Sequence, residues 1–469
     1  MSKLNFRKLL NRKNLITLIA LLFMLSGIIA GAIYIIPGLA GEAVWLDLDY
    51  ERYNIENRIA ELKELDSATA EDELAIAEQE LDNVRAELIR VREGISQPRS
   101  IGVALLVAGL GIGGFLLAVK NRSQLLIPLL ALNLLVLFNI FNDVSFFAME
   151  TAVNYMGYTI ISGNFYNIIQ KATELVVLAM GMTFVISATK GADISVGATA
   201  AIAGAVFIRV ILSYEFTLPL MILAFLITAF ITVIVVGGFN GTLVSVFKIQ
   251  PMVATLIMFT TGRAIAYWIN GGSTPTVFGN DWLDYFGRFI PGVPVHTPII
   301  TAIVCGTIIF LVLKFTNLGL YIQSVGINEK SARLNGINPV VVKYLAFAIL
   351  GLCVTVAAAT SIGRLGLMNH VYILQAVELD AILAVAIGGN SLGGGKFKIS
   401  GSIMGAYVIY ALSETLFNIG VSSTEIQVYK AIVIVLLVIM SSPVVQEKMS
   451  QVWKAAMAKR AVSSQGEGQ

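Results

Sequence analysis

Residues 172–213 read ATELVVLAMGMTFVISATKGADISVGATAAIAGAVFIRVILS, and the fold follows from this stretch. Two apolar runs, 172–189 and 195–213, flank a short polar turn, Lys190-Gly191-Ala192-Asp193-Ile194. Each run comes close to the ~20 residues needed to cross a bilayer core of ~30 Å. Hydrocarbon cannot take up backbone N–H and C=O groups, so such runs are expected to be helical. Working outward, similar runs recur near 124–142, 217–236, 252–270, 297–316, 340–361, 378–390, 400–418 and 427–442. That makes ten expected spans after residue 123.

Composition agrees. Of 469 residues, 57% are apolar and 13% charged, against about 25% charged in a soluble domain. Two histidines and two cysteines argue against a metal site or a disulfide framework. Cys305 and Cys353 both fall inside apolar runs and read as small buried thiols.

The N-terminal part is different. Lys3, Arg7, Lys8, Arg12 and Lys13 precede an apolar run, Leu15–Ile36, and bases flanking a first span stay on the cytoplasmic side. The run is long for a cleaved signal peptide, although Ala30-Gly31-Ala32 offers small residues. Residues 42–98 hold 16 acids and 6 bases, a net charge of −10. Within them Leu74, Ala77, Leu81, Val84, Leu88 and Val91 alternate steps of three and four, a heptad seam. Ile55, Ile59, Leu62 and Leu65 give the preceding arm a matching stripe, with the turn at 66–70 and a capping box at Thr69 and Asp72. A polar helical hairpin outside the membrane, coiled-coil-like, is therefore expected between two added spans, the second at Ile101–Val119.

Twelve spans starting inside put Lys190, Lys248, Lys330, Arg333, Lys396, Lys398 and the Lys448–Arg460 tail on the cytoplasmic side. The opposite loops keep few bases, among them Arg288 and Arg364, so parity and the positive-inside bias agree.

No nucleotide site is expected. Gly109, Gly111 and Gly114 spell a dinucleotide fingerprint but follow no strand, so they read as small residues packing against another span. Gly393-Gly394-Gly395-Lys396-Phe397 lacks both the first glycine of a P-loop, where Asn390 stands, and the hydroxyl after the lysine. No catalytic or metal-ligating residue emerges, and no nucleic-acid partner is expected. Polar residues inside apolar runs remain: Thr183, Asn240, Thr255, Arg263, Glu378, Asp380 and Glu414, with Glu174 and Asn270 beside them. Intramembrane charges cost about 2.5–3.5 kcal/mol on insertion scales, so each faces either a solute pathway or a structural partner. Tyr267 and Trp268 read as interfacial anchors or as a stacking surface for a sugar.

The segment Asn317–Pro339 holds a short polar helix, Asn328–Leu334, between Gly326 and Gly336. Asn328 can cap it, Glu329 falls in its first turn and Arg333 near its end. Such an element suits docking on a soluble partner.

These residues resemble a known family. Gly181-Met182-Thr183 with Gly191-Ala192-Asp193-Ile194-Ser195-Val196-Gly197, Ala254-Thr255-Leu256, the run from Gly326 through Ala332 and Leu334 to Ile337, Glu378-Leu379-Asp380, Gly388-Gly389-Asn390-Ser391-Leu392 and Gly420-Val421-Ser422-Ser423 follow the order seen in permeases of ribose/galactose-type sugar ABC importers. Ala192 and Ile327 replace usual glycines, and Lys190 is unusual at its position. The resemblance implies an all-α polytopic core of ten helices at 123–445, paired with a second copy of itself in the bacterial inner membrane. Residues 1–122 form an added N-terminal extension and 446–469 a cytoplasmic tail, so both termini are expected in the cytoplasm.

The resemblance also implies an extracytoplasmic sugar-binding protein and a cytoplasmic ATPase carrying ATP and magnesium, with no cofactor on this chain. Its implied coupling set is Gly326, Asn328, Glu329, Ala332, Arg333, Leu334, Gly336 and Ile337; Asp193, Ser195, Gly197, Gly388 and Gly389 would be hinge or packing points. The expected function is inward passage of a monosaccharide. A nucleoside or other small-solute importer of the same build, or an ion-coupled secondary transporter, is the alternative.

Overall fold

The computed structural model describes residues 12–64, 68–121, 123–153, 159–213, 217–277, 281–290, 293 and 295–441. Of the turn predicted at 66–70, residues 66 and 67 lie outside them and 68–70 are already helical; most of the basic N-terminus and the tail after 441 also lie outside. So do the side chains of Thr69 and Asp72.

Helices occupy all twelve expected positions. Helix α1, Arg12–Glu64, and α2, Ala68–Lys120, are each 53 residues long, about 80 Å at 1.5 Å per residue. Each runs without a break from a span into the hairpin. Their outer arms bury Ile59, Leu62, Ala77 and Leu81 against one another, with Ile55 and Leu74 at the edge, and Val84 and Leu88 are buried too. Arg85–Glu56 (3.0 Å), Lys63–Glu78 (3.5 Å) and Arg58–Glu80 (3.9 Å) cross between the arms. All three are exposed and contribute little. At membrane depth the two helices meet through small residues: a Cβ on Gly27 would lie 2.7 Å from Gly109 Cα, and one on Gly113 would lie 2.4 Å from Met24 Cγ. Without a hydrophobic drive between lipid-immersed helices, such close backbone approach is what holds them. Of the predicted trio, Gly109 packs in this way, Gly111 abuts Asn133 of the next span, and Gly114 has room around it.

Helix α3, Leu126–Asn142, follows, then a 3-10 turn at Val144–Phe147 and the antiparallel strands β1 (Glu150–Val153) and β2 (Thr159–Ser162), with Glu150 opposite Ser162. The central body comprises α4 (Asn164–Lys171), α5 (Thr173–Thr189), α6 (Val196–Leu212) and α7 (Leu218–Thr232). Helix α7 continues as a π-helical stretch, Val233–Asn240, into α8, Gly241–Ser245. Then come α9 (Pro251–Ile269), α10 (Asp281–Gly287), α11 (Thr297–Phe315), α12 (Leu318–Ile327) and α13 (Glu329–Leu334). The chain closes with α14 (Pro339–Leu365), α15 (Val377–Ile387), α16 (Ile399–Asn418) and α17 (Ser423–Ser441).

Among the described residues seven helical segments are long and apolar enough to cross a membrane, and three shorter apolar helices accompany them. The chain is an all-α multi-pass membrane protein. Helix α5 lies at its centre, with every residue from Thr173 to Ala188 buried. The outer helices instead turn leucine, isoleucine and phenylalanine outward, as at Leu226, Phe230, Ile303 and Phe310, the inverse of a soluble surface and the mark of lipid contact.

Two expectations need correction. The span expected at 378–390 is the eleven-residue α15, about 16 Å of rise and half a bilayer. Turns at 370–376 precede it. The segment Asn317–Pro339, for which only the short polar helix was expected, holds a second helix before it, α12, whose Gly319, Ile322, Val325 and Gly326 are buried.

Candidate functional site: a basic end and a broken span

Among the predicted cytoplasmic bases, Lys190 and Lys248 lie at one junction, Lys248 near enough to Glu329 to act on its charge. Lys190 donates to Ile327 O (3.3 Å), joining the end of α5 to the end of α12. Gly395 N donates to Ser187 O (3.0 Å), which places the glycine-rich loop beneath the same helix. At Gly326 a Cβ would sit 1.8 Å from Ser187 O, so only glycine lets α12 approach α5 this closely.

Helix α13 projects from that junction. Asn328 Oδ1 accepts from Ser331 N (3.1 Å), the cap expected from sequence. Lys343 in the first turns of α14 donates to Glu329 at 2.7 Å. That hydrogen bond, with the lysine's charge, holds the Glu329 carboxyl below its ordinary range. Ala332 is buried and Ile337 packs against the main core, whereas Arg333 and Leu334 point outward, Leu334 at 89% exposure. Gly336, at φ +78°, ends the helix in a left-handed turn. The result is a small stiff helix tied directly to α14, and to α5 through the end of α12, with an apolar knob on the other side.

The intramembrane polar residues fall into separate groups. The first is a buried knot beside the Lys190 turn. Asp193 Oδ1 accepts from Ser195 N (2.7 Å) and Ser195 Oγ (2.6 Å), while Asn240 Nδ2 donates to Asp193 Oδ2 (3.1 Å) and Ser195 Oγ (2.9 Å). Asn240 is the last residue of the π-helical stretch, and such bulges often re-aim a side chain toward a functional position. Thr255 Oγ1 accepts from Ile194 N (3.1 Å), fixing α9 to the same turn.

The second group organises the broken span. Arg263 of α9 donates through Nη1 to the carbonyls of His370 (2.8 Å), Val371 (2.9 Å) and Ile373 (3.1 Å), and through Nη2 to Leu374 O (3.5 Å). Leu374 and Ala376 there have positive φ, a strained conformation for non-glycine residues. Non-helical backbone at membrane depth requires such internal satisfaction. Gly197 lets the segment close up, since a Cβ there would lie 2.4 Å from Glu378 Oε2 and 2.9 Å from Leu374 O. Glu378 is buried in the first turn of α15, and its Oε2 has no hydrogen-bond partner among the described residues. Tyr267 lies against His370, ring centroids 4.9 Å apart and planes tilted by 59°, and Trp268 is 81% exposed.

The remaining predicted residues join helices. Asp380 pairs with Lys430 of α17 at 2.8 Å and Glu414 with Lys171 of α4 at 3.3 Å. Glu174 is 1% exposed and binds Arg364 at 2.7 Å. Thr183 shares a 2.6 Å hydrogen bond with Ser402, which accepts from Asn390 Nδ2 at 2.8 Å. Gly388 meets Gly401 backbone to backbone, and Gly389 rests on Gln124 O. Sequence reasoning missed the 366–376 break and the bases Lys171, Lys343 and Lys430 as partners. Gly366 and Asn369, interrupting the apolar sequence, were the available signal for the break.

Comparison with known proteins places this geometry. Residues 164–441 match the family described as branched-chain amino acid transport system / permease component. The fructose import permease protein of Bifidobacterium longum is 34% identical over 287 residues, 60% of this chain and 78% of that protein. The galactofuranose transporter permease protein of Escherichia coli K12 is 37% identical over 284 residues, 60% of this chain and 80% of that protein. The ribose import permease protein of the same organism is 34% identical over 283 residues, 60% and 85% of the two chains. No solved structure matches. The matched region begins at α4, so α1, α2 and α3 precede it, and from α4 through the capped α13 to α17 the chain belongs to the family of branched-chain amino acid transport system permease components.

Proposed function

We propose that the chain is the membrane-spanning permease of an ATP-binding-cassette importer that passes a monosaccharide into the cytoplasm. It works as a homodimer in a bacterial inner membrane, with the basic end and both termini in the cytoplasm. A soluble ATPase carrying ATP and magnesium docks on α13, and an extracytoplasmic binding protein delivers the sugar on the opposite face. Residues 1–122 form an added unit, 123–445 the permease core and 446–469 a cytoplasmic tail.

Helix α13 carries the proposal: capped, bound to α14 through Glu329–Lys343, continuous with α12, whose Gly326 seats on α5, and presenting Leu334 outward. A push on Arg333 and Leu334 reaches the buried α5 through backbone contacts rather than through a flexible loop. Rigid-body rocking of packed helices is the matching transport motion. The broken span and the Asp193–Ser195–Asn240 knot lie between this lever and the far end, where a half-helix offers polar backbone to a hydroxyl-rich solute. Arg263, Thr255, Asn240 and Glu378 are the candidates for that route, with Thr183, Asp380 and Glu414 engaged in interhelical bonds beside it. The sugar class follows the named relatives, which import fructose, galactofuranose and ribose.

The test is uptake in proteoliposomes containing the chain, its ATPase and the binding protein. Arg333→Glu and Gly336→Val should abolish ATP-driven uptake while insertion and dimerisation persist. Normal transport by both variants refutes the role of α13, and ATP hydrolysis by the purified chain alone refutes the separate motor.

A further inference from the structure

Two cavities of opposite character lie on the junction between the N-terminal extension and the core, and three elements, α2, the 3-10 turn and α4, contribute to both. The deeper one, about 450 Å3, is lined by Val107 and Leu110 of α2, by Leu132 and Val136 of α3, by Phe146 and Phe147 of the 3-10 turn, by Ile168 of α4, and by Tyr407 and Ala411 of α16. The other, about 670 Å3, lies toward the hairpin. It is lined by Ser96 and Ser100 of α2, Asp143 and Ser145 at the 3-10 turn, and Asn164 and Asn167 of α4. On α2 the polar lining ends at Ile101 and the apolar lining begins at Val107. Along the turn, Val144 and Ser145 line the polar cavity while Phe146 and Phe147 line the apolar one. The change from polar to apolar thus runs along the span axis, in the direction from the hairpin into the bilayer.

We propose that this junction is a binding site for one membrane phospholipid, with an acyl chain in the apolar cavity and its head in the polar one. Water does not suit the deeper cavity, because a buried water needs two to four polar partners. The amide nitrogens on its wall are already engaged there, Asn133 Nδ2 donating to Gly111 O and Leu129 O and Asn139 Nδ2 to Leu135 O and Thr415 Oγ1; Asn139 Oδ1 is left as a buried oxygen without a partner among the described residues, and most of the remaining wall is aliphatic or aromatic. The supply of acyl chains is one helix width away. Leu134, Leu137, Phe138 and Phe141 on the opposite face of α3 are exposed to the surrounding bilayer. Moving a chain from bilayer to cavity gains packing rather than dehydration, since lipid tails are as apolar as the walls.

The head cavity selects among lipids. None of its described lining residues is lysine or arginine; it offers hydroxyls, side-chain amides and the Asp143 carboxylate. The lining itself offers an anionic head no countercharge, and the adjoining Arg99 is held on Met149 O at 3.1 Å, whereas an amine-bearing zwitterionic head places its ammonium by Asp143 and its phosphate oxygens by Ser100, Asn164 and Asn167. The site forms across the boundary of the family match, with α2 and α3 outside residues 164–441 and α4 and α16 inside, so the lipid cements extension to core.

The full chain, reconstituted with photoreactive acyl-diazirine lipids and then washed in detergent, tests this by retained-lipid mass spectrometry and mapping of crosslinked peptides. Phosphatidylethanolamine should survive washing and label peptides containing Val107–Leu110 and Met404–Ala411 at least tenfold above the bulk-facing helix Thr297–Phe315. Phosphatidylglycerol and free fatty acid should be retained at least fivefold less. Ala411→Phe, which fills the deep cavity, should cut retained phosphatidylethanolamine about tenfold. Asp143→Asn, which keeps the turn's cap but removes the charge, should erase the preference over phosphatidylglycerol. The proposal falls if the wild-type chain retains no lipid, if labelling falls equally on Thr297–Phe315, or if free fatty acid or phosphatidylglycerol is held as well as phosphatidylethanolamine.

Discussion

Replacing Arg263 by alanine removes the donor that collects the carbonyls of the 370–376 break. Of its four acceptors, Leu374 O lies at the distance limit and Val371 O is in an exposed setting, so both lose little. His370 O (2.8 Å) and Ile373 O (3.1 Å) are the costly ones. A buried group left without its partner costs about 1–3 kcal/mol, so the low end for two carbonyls is about 2 kcal/mol, taken from the local stability of the break. At 1.4 kcal/mol per factor of ten, that is about a 30-fold rise in local opening. Three amides report it: Ile373 N, Gln375 N and Val377 N, bonded to Asn369 O, Tyr372 O and Leu374 O. Hydrogen exchange in nanodiscs should show their protection falling about 30-fold in Arg263→Ala while α5 amides are unchanged. Arg263→Lys, with three donors on a point instead of a planar fork, should fall between the two. Unchanged exchange at 373–377 in Arg263→Ala refutes the idea that the guanidinium holds the break together.

Three further outcomes are expected. Glu174→Ala strands the Arg364 guanidinium and should cost about 3 kcal/mol, the low end for breaking a buried pair; thermal unfolding in detergent should show the loss, and Glu174→Leu combined with Arg364→Met should recover most of it. Gly326→Val drives a side chain into Ser187 O and should lower uptake at least tenfold while leaving chain insertion intact, as read by proteoliposome transport beside protease accessibility. Burial holds the His296 imidazole below its ordinary value beside Tyr166. The folded state therefore resists the proton that the unfolded chain accepts, and stability falls as pH drops through about 6.5; the melting temperature should decline between pH 7.5 and 5.5, and His296→Gln should flatten that decline.

The sequence displays what local periodicity can encode. Continuous apolar runs gave the helices from 172–189 to 427–442, the three-four spacing of Leu74, Ala77 and Leu81 gave the buried seam, and Asn328 before Glu329 gave a capped helix. What it hides is whatever needs a distant partner. The break at 370–376 is stable because Arg263, 107 residues earlier, reaches its His370 carbonyl, and nothing in the local sequence carries that. Asp380 and Glu414 stand out as isolated charges in apolar runs, yet their partners Lys430 and Lys171 are chosen by helix packing. The π-helical turn ending at Asn240 is equally silent, because one extra residue in a helix leaves composition unchanged.

Helices α1 and α2 pass from span to hairpin without interruption. Residues 36–64 alone extend about 43 Å beyond Ile35 at 1.5 Å per residue. Two arms locked along their length behave as one stiff mast rooted in the bilayer. A lean of about 5° at its base would sweep the tip sideways by roughly 4 Å over that height. Small adjustments among the embedded helices are thereby enlarged at a point well clear of the lipid headgroups.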